Sequence, residues 1–222
     1  MQSVGDSSYK AMQIQFGRRL NAGLQFDFTY TFGKGTDTAP LISTLSVTGD
    51  DPRSDPANLQ RDKGPNLMDV RHNFAGTIIF SPSVHAGNQI LNAIANHNQV
   101  AALLQFNSGL PLNEPANQDL NGDGVNSDRP LDVTRNPLYL PVRKNVDLRY
   151  TRWIPIRGSS RAEVIAELKN VFNTEQMSAI NTTTVVDAAG NPAGTIPSDP
   201  YDFVNPSGFE QRKFQLGFKI RF

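Results

Sequence analysis

The sequence predicts an all-β chain. It reads as an antiparallel up-and-down sheet of about seven strands, an incomplete stretch of the wall of a transmembrane β-barrel. Three observations carry this. Apolar and polar residues alternate with period two in seven separate runs. The links between runs alternate between short and long. No stretch approaches the ~18 consecutive apolar residues of a membrane helix.

The first run, Tyr9 to Leu20, places Met12, Ile14 and Phe16 on one face. The second, Leu24 to Lys34, sets Leu24, Phe26, Phe28, Tyr30 and Phe32 against Gln25, Asp27, Thr29 and Thr31. Asp69 to Ser81 carries Val70, Phe74, Ile78 and Phe80, and Asn98 to Leu112 carries Val100, Ala102, Leu104 and Phe106. Asn145 to Ile154 follows with Val146, Leu148 and Tyr150, then Arg161 to Phe172 with Ala162, Val164, Ala166 and Leu168. In the last, Arg212 to Phe222, the residues Phe214, Leu216, Phe218, Ile220 and Phe222 alternate with Lys213, Gln215, Gly217, Lys219 and Arg221. The opposite faces hold Arg19, Asp27, Arg71, Asp147, Arg149, Glu163, Glu167, Lys169 and Lys219. Such a face is hydrated: solvent-facing in a sandwich, luminal in a wide barrel.

The links favour the barrel. Asn21-Ala22-Gly23 and Gly158-Ser159-Ser160 are short, whereas Gly35 to Met68, Pro111 to Arg143 and Asn173 to Gln211 are long. Pro82 to His97 is intermediate, and Ile90, Leu91 and Ile94 suggest a short helix within it. Membrane barrels keep turns short on the periplasmic side and loops long outside. Loops beyond ~12–15 residues are uncommon in compact soluble domains.

Hydrophobic content is 38% and mean hydropathy is -0.40. The formal net charge is zero, from 21 basic and 21 acidic residues, which gives no basic excess for nucleic acid. Without cysteine there is no disulfide scaffold and no thiolate metal site. Met1-Gln-Ser-Val-Gly-Asp lacks the basic and apolar regions of a signal peptide. Single-chain bacterial barrels have even strand numbers, so seven runs suggest that residues 1–222 are the C-terminal portion of a larger barrel, without its plug domain and first strands. The rival expectation is a cytoplasmic chain beginning at Met1.

Several motifs resemble the C-terminal barrel of TonB-dependent outer-membrane receptors. The resemblance is to the Oar-like branch, whose members carry a carboxypeptidase-regulatory-like domain. The matching pieces are Asp69-Val70-Arg71-His72-Asn73-Phe74, Phe106-Asn107-Ser108-Gly109-Leu110-Pro111, and Asp119-Leu120-Asn121-Gly122-Asp123-Gly124 running into Asp128-Arg129-Pro130. Val146-Asp147-Leu148-Arg149, Glu167-Leu168-Lys169-Asn170-Val171-Phe172-Asn173 and the C-terminal Phe222 complete them. The resemblance implies outer-membrane localisation and a 22-stranded barrel, of which this chain would hold about the last third. It also implies uptake or binding of a large substrate, energised by a TonB-type partner acting through parts that this chain lacks. The terminal Phe214, Leu216, Phe218, Ile220 and Phe222 resemble the signal read by the barrel-assembly machinery, through addition of a strand to a sheet edge. The competing reading is an ordinary edge strand.

Asp119, Asn121 and Asp123, followed by Gly124, resemble the start of a calcium loop, to which Asp128 could contribute. Pro130 stands where the bidentate Glu belongs, and an Asx-rich turn accounts for the same residues. His72, His85 and His97 fall in no metal-ligand spacing, and His72 reads as interfacial or packed. Asn107-Ser108-Gly109 lacks the nucleophile-elbow pattern. Glu163 and Glu167, with Arg161 and Lys169, read as a luminal charge lattice rather than a hydrolytic pair. No catalytic constellation or cofactor motif is found. Phe16, Phe26, Phe28, Tyr30, Phe32, Phe80, Phe106, Tyr150, Phe214 and Phe218 form the outward aromatic set. The alternative function is a soluble secreted β-sandwich, an adhesin or a carbohydrate-active enzyme.

Overall fold

A computed structural model describes residues 5–38, 58–85, 87–116, 118–122, 124, 126, 128–156, 158, 160–177, 182–193 and 211–222. Seven long strands lie side by side: β1 (Ser7–Asn21), β2 (Leu24–Asp37), β4 (His72–Phe80), β5 (Asn98–Asn107), β8 (Arg143–Pro155), β9 (Arg161–Lys169) and β10 (Lys213–Arg221). The two-residue β3 (Gly64–Pro65) adds to the end of β2, and β6 (Pro111–Leu112) pairs β7 (Leu138–Tyr139) apart from the main sheet. Every pairing between long strands is antiparallel and joins neighbours in chain order. Among the described residues β1 and β10 do not pair with each other, so the sheet is open. The helix expected near Ile90 is present as α1 (Gln89–Ala95).

Register makes the two faces. Residues pair even to even across all six long interfaces: Met12 with Phe32, Phe26 with Ile78, Phe74 with Phe106, Val100 with Tyr150, Leu148 with Leu168, and Phe218 with Val164. One continuous apolar surface results. A slip of one residue at any interface would put half of it on the wet side. Phe16, Phe26, Phe28, Phe74 and Phe106 form a row of ring contacts across four strands, with centroids 5.3–5.9 Å apart. Gly76 makes room for that row, since a β-carbon there would lie 2.7 Å from the Phe28 ring.

Basic residues bound the even face at both ends. Lys10 pairs with Lys34, and Lys144 with Phe106, near the long loops; Arg18 and Arg152 lie near the short turns. From Lys10 to Arg18 is eight steps, roughly 26 Å along the strand at ~3.3 Å each. That matches the ~25 Å outward band of membrane barrels, with long cationic side chains reaching the headgroups. Tyr150 donates its hydroxyl to the Asn98 side-chain oxygen at 2.6 Å, an amphipathic ring with a polar end near the turns.

No described residue packs over this surface. Among the described residues the buried apolar side chains are Ala116, Leu140, Ala162 and Val186, whereas Phe16, Leu216 and Phe218 are each 65% exposed or more. A sandwich would lay a second sheet over the even face; the only other sheet among the described residues is the β6–β7 pair.

Turn chemistry fixes the short links. Ala22 (φ 50) and Gly23 (φ 81) are both left-handed, the geometry of a two-residue hairpin that follows the strand twist. β2 and β8 run past their expected limits, to Asp37 and back to Arg143, and three boundaries fall three or more residues inside the sequence expectation. β4 starts at His72 rather than Asp69, because the Asp69 carboxylate accepts the Gly35 amide at 2.7 Å and its amide donates to Asn66. β5 ends at Asn107 rather than Leu112, because Gly109 runs against Leu140, whose carbonyl oxygen a β-carbon there would meet at 1.7 Å. β9 ends at Lys169 rather than Phe172, because Asn170 turns left-handed at φ 47.

The chain alone should remain β-structured only in detergent micelles, which cover the apolar face and leave the two sheet edges within reach of water. A monomeric, detergent-free β protein in gel filtration would contradict the lipid-facing assignment. In micelles, Phe28→Arg should lower stability to urea by about 2–4 kcal/mol. Thr29→Arg, its neighbour on the wet face, should change it by under about 0.5 kcal/mol.

Candidate functional site

The odd-numbered face carries the polar chemistry expected of a lumen. Gln15 donates to Asp27 at 3.0 Å between β1 and β2. Arg149 lies opposite Glu167 in register and 3.4 Å from it. Glu163, 5% exposed, sits between Arg161 at 3.2 Å and Arg221 at 3.1 Å. Glu163 and Glu167 are four steps apart on one strand, roughly 13 Å. That exceeds the ~5–9.5 Å of hydrolytic carboxylate pairs. Both are engaged by arginines, as a charge lattice requires. A cavity of about 330 Å³ opens on this wall beside Thr77, Leu103, Asp147, Arg149, Glu167 and Lys169.

Above the wall, the long links between β2 and β4, β5 and β8, and β9 and β10 interlock. Most buried side chains of the described residues are here, and they are polar. Arg129, fully buried, reaches from the second link to Asp62 of the first at 2.5 Å and to the Arg61 carbonyl at 3.1 Å. Arg61 reciprocates on the carbonyls of Arg129 (2.9 Å) and Pro130 (3.2 Å). Arg135 pairs with Asp37, and Asn136 donates to the Pro65 carbonyl at 2.7 Å. Gly64 fits only as glycine, since a β-carbon would meet the Arg135 carbonyl oxygen at 2.4 Å. Tyr139 donates to Asp69, which also holds Arg71 at 2.9 Å; burial, then the Asp69 charge, push the Tyr139 phenol up. The third link joins through Thr184, which donates to Glu114, and through the Gly190 carbonyl, which accepts from Leu131 at 2.9 Å.

Asp119 and Asp128 close the tip of the second link. Asp119 accepts the amides of Gly122 (2.6 Å) and Gly124 (2.8 Å), and Asp128 those of Leu120 (2.7 Å) and Asn121 (2.9 Å). This is the hydrogen bonding of an Asx-rich turn. Asn121 also reaches Asp128 at 3.2 Å. Asp123 lies outside the described residues. Among those described, no three His, Cys, Asp or Glu side chains converge on a common point. His72 faces outward opposite Phe32, 2.8 Å from the Tyr30 hydroxyl and stacked on that ring, a packed histidine.

The terminal segment forms β10 and pairs β9 from Lys213 to Arg221. Phe214, Leu216, Phe218 and Ile220 line its outward face, 44–71% exposed, and Phe222 follows at 96%. Its other edge is unpaired among the described residues.

The motifs singled out in the sequence contain Asp69, Arg71, Gly109, Asp128 and Arg129, so they mark one side of the loop network. Asp62, the partner of Arg129, carries no local signal, and neither do the pairs Asp37 with Arg135 and Glu114 with Thr184. These pairs join residues 67 to 98 positions apart.

Arg129→Met leaves Asp62 buried without its main cation and should cost about 3–5 kcal/mol of loop stability. Limited proteolysis should then cut residues 58–71 and 128–142 faster, and adding Asp62→Leu should restore much of the resistance. The Asp187 carboxylate accepts the amides of Asn191 and Ala189, which hold it below the ordinary aspartate range. A lowered pKa means that the turn's contribution is complete above the ordinary value of ~3.9. It is lost only as pH falls through the depressed folded value. Amide exchange at Ala189 and Asn191 should therefore stay slow at pH values where free aspartate is already half protonated.

Residues 1–137, the segment from β1 through most of the second long link, match the family model described as an outer membrane beta barrel domain. No curated protein and no solved structure matches the chain. The matched segment covers more than half of the 222 residues. Its uncovered even face and its hydrated odd face are the two surfaces that such a wall needs. The chain belongs to the outer membrane beta barrel domain family, and its place is the bacterial outer membrane.

Proposed function

We propose that this chain is part of the wall of a TonB-dependent receptor of the Oar-like kind, which binds or takes up a large substrate. The open sheet carries the reading. Seven strands whose outer edges pair with nothing among the described residues do not enclose a lumen, and the mixed-charge wall suits a wide barrel completed by further strands. The interlocked external loops would meet substrate first, and the odd face would line its route. A TonB-type energiser would act through a plug-bearing part outside residues 1–222. The barrel-assembly machinery would engage the β10 edge and Phe222. We read the role as binding and transport rather than catalysis: Glu163 and Glu167 stand too far apart for a hydrolytic pair, and arginines engage both.

Antiserum raised against the chain tests this. In outer membranes it should detect a polypeptide well above 24.4 kDa that crosslinks in vivo to a TonB-type protein. A 24.4 kDa species that never crosslinks would sink the receptor reading. Deleting Phe222 should remove most of the heat-modifiable, assembled form of that polypeptide from the membrane while leaving its synthesis unchanged.

A further inference from the structure

We infer that the luminal wall holds a sugar-binding subsite at its external end, on β4, β5 and β8. A cavity of about 240 Å³ opens there. Register defines its floor. Asn73, Asn107 and Arg143 stand side by side in one row across the three strands, and Ala75, Gln105 and Asn145 in the next. All six are odd-numbered and so face the lumen. Ala75 is the only small side chain of the grid, which makes the depression. Gln176, from the link after β9, closes one side; it is 7% exposed and tied to the Lys144 carbonyl at 2.6 Å.

The chemistry narrows the guest. Five of the lining side chains are carboxamides, each offering a donor pair beside an acceptor. Four of the five are already braced: Asn107 donates to Asn73 at 2.7 Å, Asn145 to Asp147 at 3.0 Å, and Gln176 to the Lys144 carbonyl. The Asn145 side-chain oxygen is buried and accepts no hydrogen bond from any described residue. Vicinal hydroxyls, each both donor and acceptor, match such a lining. Arg143 is the one cation of the cavity, no carboxylate lines it, and Arg143 has no ion pair among the described residues. Its planar fork suits a uronate carboxylate or a diol. A phosphate would call for more positive charge. A peptide would call for apolar pockets for alternate side chains; the apolar residues at the cavity are Ala75 and Phe74, and the Phe74 ring is engaged with Phe28 and Phe106 on the outward face. The volume is below the ~300–1,000 Å³ of sites for drug-sized ligands, which points to one sugar unit of a longer chain.

The inference rests on the proposed function only in placing these residues on a wet lumen; binding is measured here without transport. The full chain in detergent micelles is titrated with cellotetraose, an alginate tetrasaccharide and tetra-alanine amide, followed by saturation-transfer NMR. At least one sugar should bind. Gln105→Leu should weaken it about tenfold. Arg143→Met should weaken the alginate fragment selectively, and Gln215→Leu, on the luminal face of β10 outside the cavity, should leave binding unchanged. Ala75→Met fills the floor and reads the same loss should Gln105→Leu fail to fold. The subsite is overturned if neither sugar binds, if tetra-alanine amide binds better than both, or if the cavity variants bind like the wild type. A chain that binds sugar while its parent never crosslinks to a TonB-type protein keeps the subsite and loses the uptake reading.

Discussion

The structure depends on one constraint: among the described residues, none covers the even-numbered face of the sheet. An apolar surface that crosses seven strands cannot rest against water at ~25 cal/mol per Å². It must rest against hydrocarbon. Once lipid is the solvent, each backbone amide within the apolar band must find its partner laterally, because no water is there to supply one. Regular antiparallel pairing, even-to-even register and flanking basic residues follow from that demand. So does the scarcity of buried apolar side chains among the described residues, which would be a defect in a soluble protein of this length.

What the sheet lacks in apolar burial appears in the loops as polar burial. Arg129, Arg135, Asp62, Asp69 and Asn136 are almost wholly enclosed there. Buried charges of this kind are weak sources of net stability but strongly penalise wrong partners. That suits segments that must reach one arrangement over an open lumen. Asp69 shows the economy of it: one oxygen holds the β2 backbone at Gly35, and the other takes Arg71 and Tyr139. The first and second links are thereby pinned to the top of β2. Asp147 does the same at the top of β8, accepting the Asn170 amide where β9 turns away.

The strands were legible in the sequence because the membrane imposes period two over a length that noise does not imitate. All seven runs are strands, and α1 lies where Ile90, Leu91 and Ile94 suggested. Strand ends were less legible, since tertiary contacts set them: Leu140 stops β5 at Gly109, and the Asp69 brace delays β4. The two-residue β3, β6 and β7 are too short to show a period. The loop network was half legible. Motif residues such as Asp69 and Arg129 stood out, but the choice of Asp62 for Arg129, or Asp37 for Arg135, is made by folding across many tens of residues. The luminal cavity left no trace in any single run, because its rows exist only across strands.

The free edges finish the argument. Among the described residues β1 and β10 each leave one edge without a partner strand, and each backbone group unpaired in hydrocarbon costs several kcal/mol. A handful of them exceeds the ~5–15 kcal/mol by which a folded domain is stable. In a bilayer an open sheet of this kind is therefore not a resting state, although in a detergent micelle water can reach its edges instead. On the proposed wide-barrel reading further strands meet both edges. Their pattern is already constrained. A strand added beside β1 must set apolar side chains opposite Met12, Ile14 and Phe16, and polar ones opposite Gln13 and Gln15. A strand added beside β10 must do the same for Phe214, Leu216, Phe218 and Ile220, with Lys219 and Arg221 kept on the wet side. Any other parity would put charge into lipid, at about 2–4 kcal/mol for each Arg or Lys near the midplane. The rule that joins the seven strands thus selects the strands that can close the barrel.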